Sequence, residues 1–386
     1  MSGLILKLTK FGTKFLQIQY QINGICPISF DDNYRPQESR RLKRYSIFLV
    51  IYLTAFIFSL YYEKEHFINN EKSNVGETVD FIQLVSMRMS SIIIVLEALI
   101  QRQHLINYFN NLHDVDSHLM DINVKMNFKM EQFKDLIKII IAASFCIGSE
   151  LMVVLMYHLR YKLDTFLYWI SYIPFYIHCC MRYFQLMQFI MIIKRRIDIV
   201  NVQLSQIDIY RPSNYDTLDN LRRICYKLFI MSHSINRAFG LSTLVNITND
   251  FITVTLNSYF IFVACQRFTY RSRIKAVESI FWSLPHCINI IVLATCCQVT
   301  VLSTRKIGML LHRIKFNFSN GSQSMFMSHF SIQLLLQKVE FNAFGFFKID
   351  FSLLYAIAAT VTTYLVILIQ FYLNEKSKGT ETNFNK

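Results

Sequence analysis

Five charged side chains lie within the long apolar stretches of this 386-residue chain, away from the ends of those stretches. They are Arg88, Glu97, Glu150, Arg182 and Asp250. An ionisable group inside a bilayer is costly, so it usually pairs with another charge or faces a water-filled cavity on a substrate or ion pathway. The first role is structural. The second role would be an aqueous cavity that opens to the outside, and the residue types leave both roles open.

Aromatic and polar residues on the same stretches favour a small-molecule pocket, because such pockets combine aromatic walls with a few polar groups. The pocket candidates are Arg88, Glu150, Tyr157, Trp169, Tyr172, Asp250, Asn257, Trp282 and His286. Trp282 has an alternative role, since Trp and Tyr also collect at the membrane interface. His286 follows Pro285, so we expect it to bond a backbone carbonyl that the proline leaves free.

The sequence lacks the common motifs of metal binding and of enzymatic catalysis. The nine Cys residues include two adjacent pairs, Cys179 with Cys180 and Cys296 with Cys297, which is not the spacing of zinc ligands. The sequence contains no His-Glu-x-x-His, no phosphate-binding glycine loop and no Gly-x-Ser-x-Gly. We therefore expect a protein that is not an enzyme and that uses no cofactor and no metal.

The candidate residues lie in a chain that is too apolar for a soluble protein of its length. Hydrophobic residues make up 53%, aromatic residues make up 15%, and the mean hydropathy is +0.30. A helix needs about 20 apolar residues to cross a bilayer, and seven stretches qualify. They are 45–62, 79–100, 136–159, 163–193, 238–266, 277–302 and 349–372. We predict an all-α integral membrane protein with seven transmembrane helices.

The distribution of Lys and Arg predicts the orientation, because these residues favour the cytoplasmic side of a membrane protein. With seven spans, the N-terminal segment and three of the connections share one side, which carries 26 of the 40 basic residues. The other side, which includes the C-terminal tail, carries 11. We expect the N-terminus in the cytoplasm and the C-terminus outside. A G-protein-coupled receptor has the opposite orientation, and it stays an alternative together with a membrane transporter.

The last predicted span carries a stripe of small and polar residues at helical spacing. It consists of Ala356, Thr360, Thr363, Ile367, Gln370 and Asn374. Small and hydroxyl residues favour close helix packing in membranes, so the stripe is a candidate for a seam within the bundle. Alternatively, copies of this helix, one from each subunit, would line a pore with it. The periodicity leaves both roles open.

The same span ends in Thr363, Tyr364, five hydrophobic residues, Gln370 and Phe371, which resembles the signature of the insect gustatory receptors. Two further stretches resemble that family, TCCQVTVLSTRKIGMLLH at 295–312 and QLLLQKVEFNAFGFFKIDFSLL at 333–354. The resemblance covers about the last quarter of the chain by motif. It covers the whole chain by length, number of spans and orientation.

The resemblance implies a tetrameric, ligand-gated, non-selective cation channel in the plasma membrane of chemosensory neurons. The last helix would line the pore, and an outward-facing pocket would lie among the second to sixth helices. The implied pore and gate residues are Thr360, Thr363, Ile367, Gln370 and Phe371. The implied partners are a small tastant, the lipid bilayer and identical or sister subunits, with no nucleic acid. Sugar-type members carry Glu directly after the Thr-Tyr pair, whereas this chain has Leu365, which favours a bitter-type or orphan receptor.

The predicted domains follow from the spans. Residues 1–44 would form a cytoplasmic segment with an amphipathic helix, and residues 45–302 would form the pocket bundle of the first six spans. Residues 303–348 would form a cytoplasmic connecting helix region, 349–372 the pore helix and 373–386 an extracellular tail. The amphipathic helix would lie on the membrane surface or pack beneath the bundle.

Overall fold

The structure, a computed structural model of the chain, is built almost entirely from helices. It describes residues 18–31, 35–67, 74–122, 124, 128–161, 165–207, 214–266, 269–314 and 321–384. Within these residues there are nine long helices and two short hairpins. The helices are α1 (Arg40–Phe67), α2 (Asn74–Ile100), α3 (Arg102–Asp121), α4 (Phe128–Tyr161), α5 (Thr165–Gln206), α6 (Asn214–Cys265), α7 (Tyr270–Arg313), α8 (Gly321–Leu336) and α9 (Phe351–Phe384).

Each predicted span coincides with one helix. The seven spans correspond, in chain order, to α1, α2, α4, α5, α6, α7 and α9. Helix α6 begins at Asn214. Its span was predicted only from residue 238, because the turns before that residue carry charged residues such as Arg222 and Lys227. Helix α9 continues to Phe384 through residues that the sequence assigned to a tail. The predicted spans are therefore the apolar parts of longer helices.

Length and composition alone identify fewer membrane-crossing helices within the described residues. Helix α7 and residues Phe351–Asn374 of α9 pass such a test, and α2 and α3 pass it only together, as a pair bent by 61°. In the other helices, the described stretch is too short or too polar to pass. Polar side chains within these helices need partners inside the bundle, and the ion pairs described below provide some of them.

Helix α3 packs along α6 and contacts α5 through individual side chains. The ring of Tyr108 stacks on Phe189 of α5 with the centroids 4.9 Å apart, and its hydroxyl donates to the Phe189 carbonyl at 3.0 Å. Arg196 of α5 pairs with Asp116 of α3 at 3.0 Å. Lys227 of α6 donates to Asp114 of the same helix at 2.9 Å. These contacts join α3 to α5 and α6 near and beyond the ends of their predicted spans.

The segment before α1 packs into the bundle in its described part. Residues 1–17, which hold most of the predicted amphipathic helix, lie outside the described residues. Tyr20 is buried and donates from its hydroxyl to Gln188 of α5 at 3.1 Å. Strand β1 (Ile28–Phe30) follows, pairs antiparallel with β2 (Pro36–Glu38), and buries Ile28 completely. For these residues, packing under the bundle describes the segment better than lying on a membrane surface.

A hairpin connects α8 to α9. Strand β3 (Asn342–Ala343) pairs antiparallel with β4 (Phe347–Lys348), and the turn places Phe344 and Gly345 at φ of 53° and 81°. Three residues separate the strands, and the Phe346 N–H donates to the Ala343 carbonyl at 3.0 Å. Phe344 and Gly345 are the central residues of this β-turn, and positive φ at both is typical of type I′. The hairpin leads directly into α9, so its position helps to fix where the last helix begins.

Two residues of α6 hold this hairpin. The side chain of Asn236 donates to the Glu340 carbonyl at 2.7 Å and accepts from the Asn342 backbone N–H at 3.2 Å. One turn later, Gly240 lies against the turn so closely that an added Cβ would be 3.1 Å from both N and Cα of Phe344. The hairpin is therefore fixed to α6 by a polar clamp and a glycine contact.

A buried ion pair reaches into α6 at the same level. Arg182 of α5 lies 3.0 Å from the Glu97 carboxylate of α2, and both side chains are about 3% exposed. Glu97 also accepts hydrogen bonds from the backbone N–H groups of Leu241 and Ser242, at 2.7 Å and 3.0 Å. Arg182 donates to the Ala238 carbonyl at 2.6 Å. The pair thus joins three helices by binding main-chain groups inside one of them.

We expect Glu97→Gln to destabilise the protein by about 3 to 5 kcal/mol, because the buried guanidinium of Arg182 loses its countercharge. The measurement is the thermal unfolding midpoint of the full-length protein in detergent, followed by fluorescence-detected size-exclusion chromatography. Glu38→Gln is the matched control, since its pair with Arg102 is more exposed and such pairs contribute about 1 kcal/mol or less. Equal midpoints for the two variants would contradict this role of Glu97.

Candidate functional site

Three helices meet at a buried polar cluster formed by Tyr183 of α5, Asp250 of α6 and His286 of α7. The Tyr183 hydroxyl donates to Asp250 Oδ2 at 2.7 Å. His286 Nδ1 lies 2.6 Å from Asp250 Oδ1, and an ionised carboxylate, which only accepts, would take its hydrogen bond from this nitrogen. We expected a backbone carbonyl as the partner of His286, and the structure instead gives Nδ1 the Asp250 carboxylate. This Tyr183–Asp250–His286 group is called the polar cluster below.

Further polar atoms near the polar cluster are buried and have no hydrogen-bond partner among the described residues. They include His286 Nε2, Glu150 Oε2 on α4 and Thr253 Oγ1 on α6. Tyr176 lies near two of these residues, His286, against which its ring packs edge-on with the centroids 5.6 Å apart, and Glu150. Buried polar atoms require partners, most of all inside a membrane protein. Water or a polar ligand at this level would supply them.

The other predicted pocket residues occupy separate positions. Arg88 is fully buried on α2, and its guanidinium lies 5.5 Å from the ring centroid of Phe175. Asn257 is buried and donates to the Thr253 carbonyl within its own helix. Trp282 lies buried on α7, one turn before the histidine of the polar cluster. The structure therefore brings Asp250 and His286 into direct contact but leaves Arg88 and Asn257 with other neighbours.

Three predicted pocket residues cannot be placed. The helices α4 and α5 include Tyr157, Trp169 and Tyr172, but the side chains of these residues lie outside the described part of the structure. Their assignment to the pocket stays a prediction.

Sequence reasoning missed the two tyrosines of α5 that line this site. Tyr176 and Tyr183 are seven residues apart and therefore share one face of the helix. Both are about 2% exposed, whereas interfacial tyrosines keep one end in contact with water. Their spacing within one span was a usable signal, which the search for charged residues did not include.

The last helix presents two different faces. Leu365, Leu368 and Tyr372 pack against a hydrophobic cluster on α6 that includes Tyr259 and Phe260. The rings of Tyr259 and Tyr372 meet edge-on at 6.4 Å. Nearer the middle of the helix, the ring of Tyr364 lies edge-on to Phe251 at 5.9 Å. The aliphatic and aromatic face of α9 thus forms the seam with α6.

The stripe lies away from that seam. All six of its residues are exposed in the single chain, as is Phe371, which is 61% exposed. Thr360 and Thr363 donate their hydroxyls to the carbonyls of Ala356 and Ala359 at 2.7 Å and 3.0 Å. Such bonds satisfy a threonine within its own helix. The alternative of a seam within the same bundle therefore fails, because the seam consists of other residues.

Metal ligands do not assemble in the described part of the chain. No group of three or more His, Cys, Asp and Glu side chains there is close enough to hold a metal ion. The nine cysteines are all free thiols. The polar cluster and the residues around it therefore present hydrogen-bonding and aromatic groups.

Comparison with known proteins identifies the family of this chain. Residues 14–375 match the model of the 7tm chemosensory receptor family. Gustatory receptor 2a of Drosophila melanogaster is 30% identical, over 90% of this chain and 91% of that protein. Gustatory receptor 68a of the same species is 27% identical, over 78% of this chain and 79% of that protein.

Solved structures agree with the fold. The insect olfactory receptor OR5 from Machilis hrabei superposes with a TM-score of 0.65 at 11% identity, over 95% of this chain and 99% of that one. The structure of the same receptor in complex with eugenol gives 0.62 at 13% identity. The predicted all-α membrane fold with seven spanning helices is confirmed. The chain belongs to the 7tm chemosensory receptor family and, within it, to the insect gustatory receptors.

Proposed function

We propose that the protein is a subunit of a ligand-gated, non-selective cation channel that detects small tastants in chemosensory neurons. The observation that carries this proposal is the exposed stripe of α9. A row of threonine, glutamine and asparagine side chains facing hydrocarbon would be unfavourable, whereas the same row facing water would be well solvated. Four copies of α9 around one axis, from identical or sister subunits, would give the stripes a shared aqueous pore in the plasma membrane.

The orientation follows from the basic residues, which place the N-terminus in the cytoplasm and the C-terminus outside. In that orientation, Gln370 and Phe371 lie near the extracellular mouth of the pore. A ring of aromatic side chains next to a ring of amides suits a gate, because an apolar constriction expels water and a modest rotation that brings in the amides restores it. Ile367, one turn deeper and 40% exposed, would contribute to the same constriction.

The polar cluster is the proposed ligand site. It lies in the interior among α5, α6 and α7, and buried polar atoms close by lack partners, so a small organic molecule with polar groups would complete its hydrogen bonding. The structure of a related fold in complex with eugenol supports a small organic ligand for this class of bundle. Leu365, at the position where sugar-type members carry Glu, favours a bitter or otherwise aversive compound.

Helix α6 would carry the signal from the ligand site to the pore, because it contacts both. Asp250 of the polar cluster is followed by Phe251, whose ring touches Tyr364 of α9. At the other end of the seam, Asn236 and Gly240 hold the hairpin that leads into α9. A displacement of α6 on ligand binding would therefore reach the pore helix at two levels.

The gate proposal is tested by Phe371→Ala. We expect a ligand-independent leak current, because the aromatic ring that closes the pore is removed. The measurement is the resting and ligand-evoked current in voltage-clamped cells, with surface expression quantified in parallel. Leu373→Ala is the matched control, since Leu373 is similarly exposed but lies almost opposite Phe371 around the helix, because two residues turn an α-helix by about 200°. Unchanged resting and evoked currents at normal surface levels would remove Phe371 from the gate.

The ligand-site proposal is tested by Asp250→Asn. This change keeps the shape of the side chain but replaces an acceptor of two hydrogen bonds by a group that also donates, so we expect at least a tenfold rise in the half-maximal ligand concentration, about 1.4 kcal/mol. The readout is the evoked current at matched surface expression. Thr248→Ala, on the same helix but exposed, is expected to leave the potency unchanged. Loss of surface protein in the first variant together with unchanged potency in His286→Gln would favour a purely structural cluster.

The coupling proposal is tested by Gly240→Ala. The added methyl group would be 3.1 Å from the backbone of Phe344, so the hairpin must shift, and we expect a changed maximal open probability with little change in ligand potency. Gly308→Ala is the control, because an added Cβ there meets nothing within 4 Å. Single-channel recording separates open probability from potency. Identical behaviour of both variants and the unmodified receptor would exclude the hairpin from gating.

A further inference from the structure

A cavity lies between α4, α5 and α7, and none of the three polar-cluster residues lines it. Its volume is about 200 Å³, and its walls are mainly the apolar side chains of Phe184, Met187, Met191 and Val292. The cavity begins one turn beyond His286 along α7 and continues to Cys296. Nothing in the proposed channel mechanism uses this space.

One cation stands at the edge of this cavity. Lys138 of α4 contributes to its lining, is exposed, and has no ion-pair partner among the described residues. Lys194 and Lys227, by contrast, are paired, with Asp198 at 2.5 Å and with Asp114 at 2.9 Å. An unpaired ammonium group beside an apolar space matches an anionic amphiphile, with its charge at the lysine and its chain within the cavity.

The position of the cavity indicates a source for such an amphiphile. Lys138 is the third residue of its predicted span, and Met191 is the third from the end of its own, so both lie at the same end of the bundle. Under the proposed orientation this is the cytoplasmic end, where the membrane leaflet is rich in anionic lipids. The surface of α4 next to it is apolar and exposed at Ile137, Ile141 and Phe145, as expected of a helix that faces lipid.

We propose that this cavity binds one acyl chain of an anionic phospholipid from the cytoplasmic leaflet, with Lys138 contacting the headgroup. A space of this size holds part of a single chain and leaves the rest of the lipid in the bilayer. The headgroup contact selects anionic over zwitterionic lipids, because one lysine near the membrane surface adds a single favourable charge interaction. The lipid would fill the gap between α4, α5 and α7. The pore helix α9 packs on α6 and α7 instead, so the lipid would be separate from the seam of α9.

The test uses the full-length receptor in nanodiscs and a phosphatidylserine analogue with a photoreactive group in its acyl chain. We expect crosslinks at Met187, Met191 or Val292, mapped by mass spectrometry. The matching phosphatidylcholine analogue should label these residues about fivefold less, as expected for the loss of one charge contact. Lys138→Gln should remove that preference, whereas Lys134→Gln, an exposed lysine one turn earlier, should preserve it.

A third variant tests the cavity itself. Ala142→Trp places a large side chain in the space and should abolish labelling by both lipids while the receptor still elutes as a single species. Equal labelling by the two lipids, or labelling that Lys138→Gln does not change, would overturn the anionic-lipid assignment. Crosslinks that a tastant displaces by competition would overturn it as well and identify the cavity as the ligand site. Because no current is measured, failure here is distinguishable from failure of the channel proposal.

Discussion

Glu97 and Arg182 form the buried ion pair on which the arrangement of the bundle depends. In a membrane, an unpaired charge at this depth would be costly, and each of these two residues compensates the other. The pair also binds the backbone of α6, since the carboxylate accepts from Leu241 and Ser242 and the guanidinium donates to the Ala238 carbonyl. In a regular α-helix, the N–H of Ser242 donates to the carbonyl of Ala238, four residues earlier. Here Glu97 of α2 also accepts from that N–H, and Arg182 of α5 also donates to that carbonyl. Side chains inserted at this level are a known cause of helix bending.

Helix α6 consequently has three kinds of contact along one length. Its first described turns pack with α3, its middle holds the ion pair and the hairpin, and its later turns carry Asp250 and the seam with α9. The ligand site and the pore helix therefore share one support. A receptor that must turn a small binding event into pore opening benefits from such an arrangement, because a packed helix transmits a shift that a flexible loop would absorb.

The sequence predicted the seven spanning helices because an apolar stretch of sufficient length has few other roles. It also predicted the stripe of α9, since helical periodicity alone assigns Thr363, Ile367 and Gln370 to one face. The extensions of α5 and α6 were missed because they are amphipathic, and the hairpin at Asn342 was missed because its strands are only two residues long. The pairing of Glu97 with Arg182 was beyond prediction, since residues 85 positions apart in sequence meet only after the bundle has folded.

Substituted-cysteine accessibility shows whether the exposed stripe of α9 lines a water-filled pore. Single cysteines would replace the stripe residues Thr360, Thr363 and Ile367, or the seam residues Leu365 and Leu368. A charged thiol reagent would then be applied from outside while ligand holds the channel open, with the unmodified receptor as background. If the stripe lines the pore, the reagent changes the current at each stripe position and at neither seam position. Modification at the seam but not at the stripe, with normal surface expression, would contradict it.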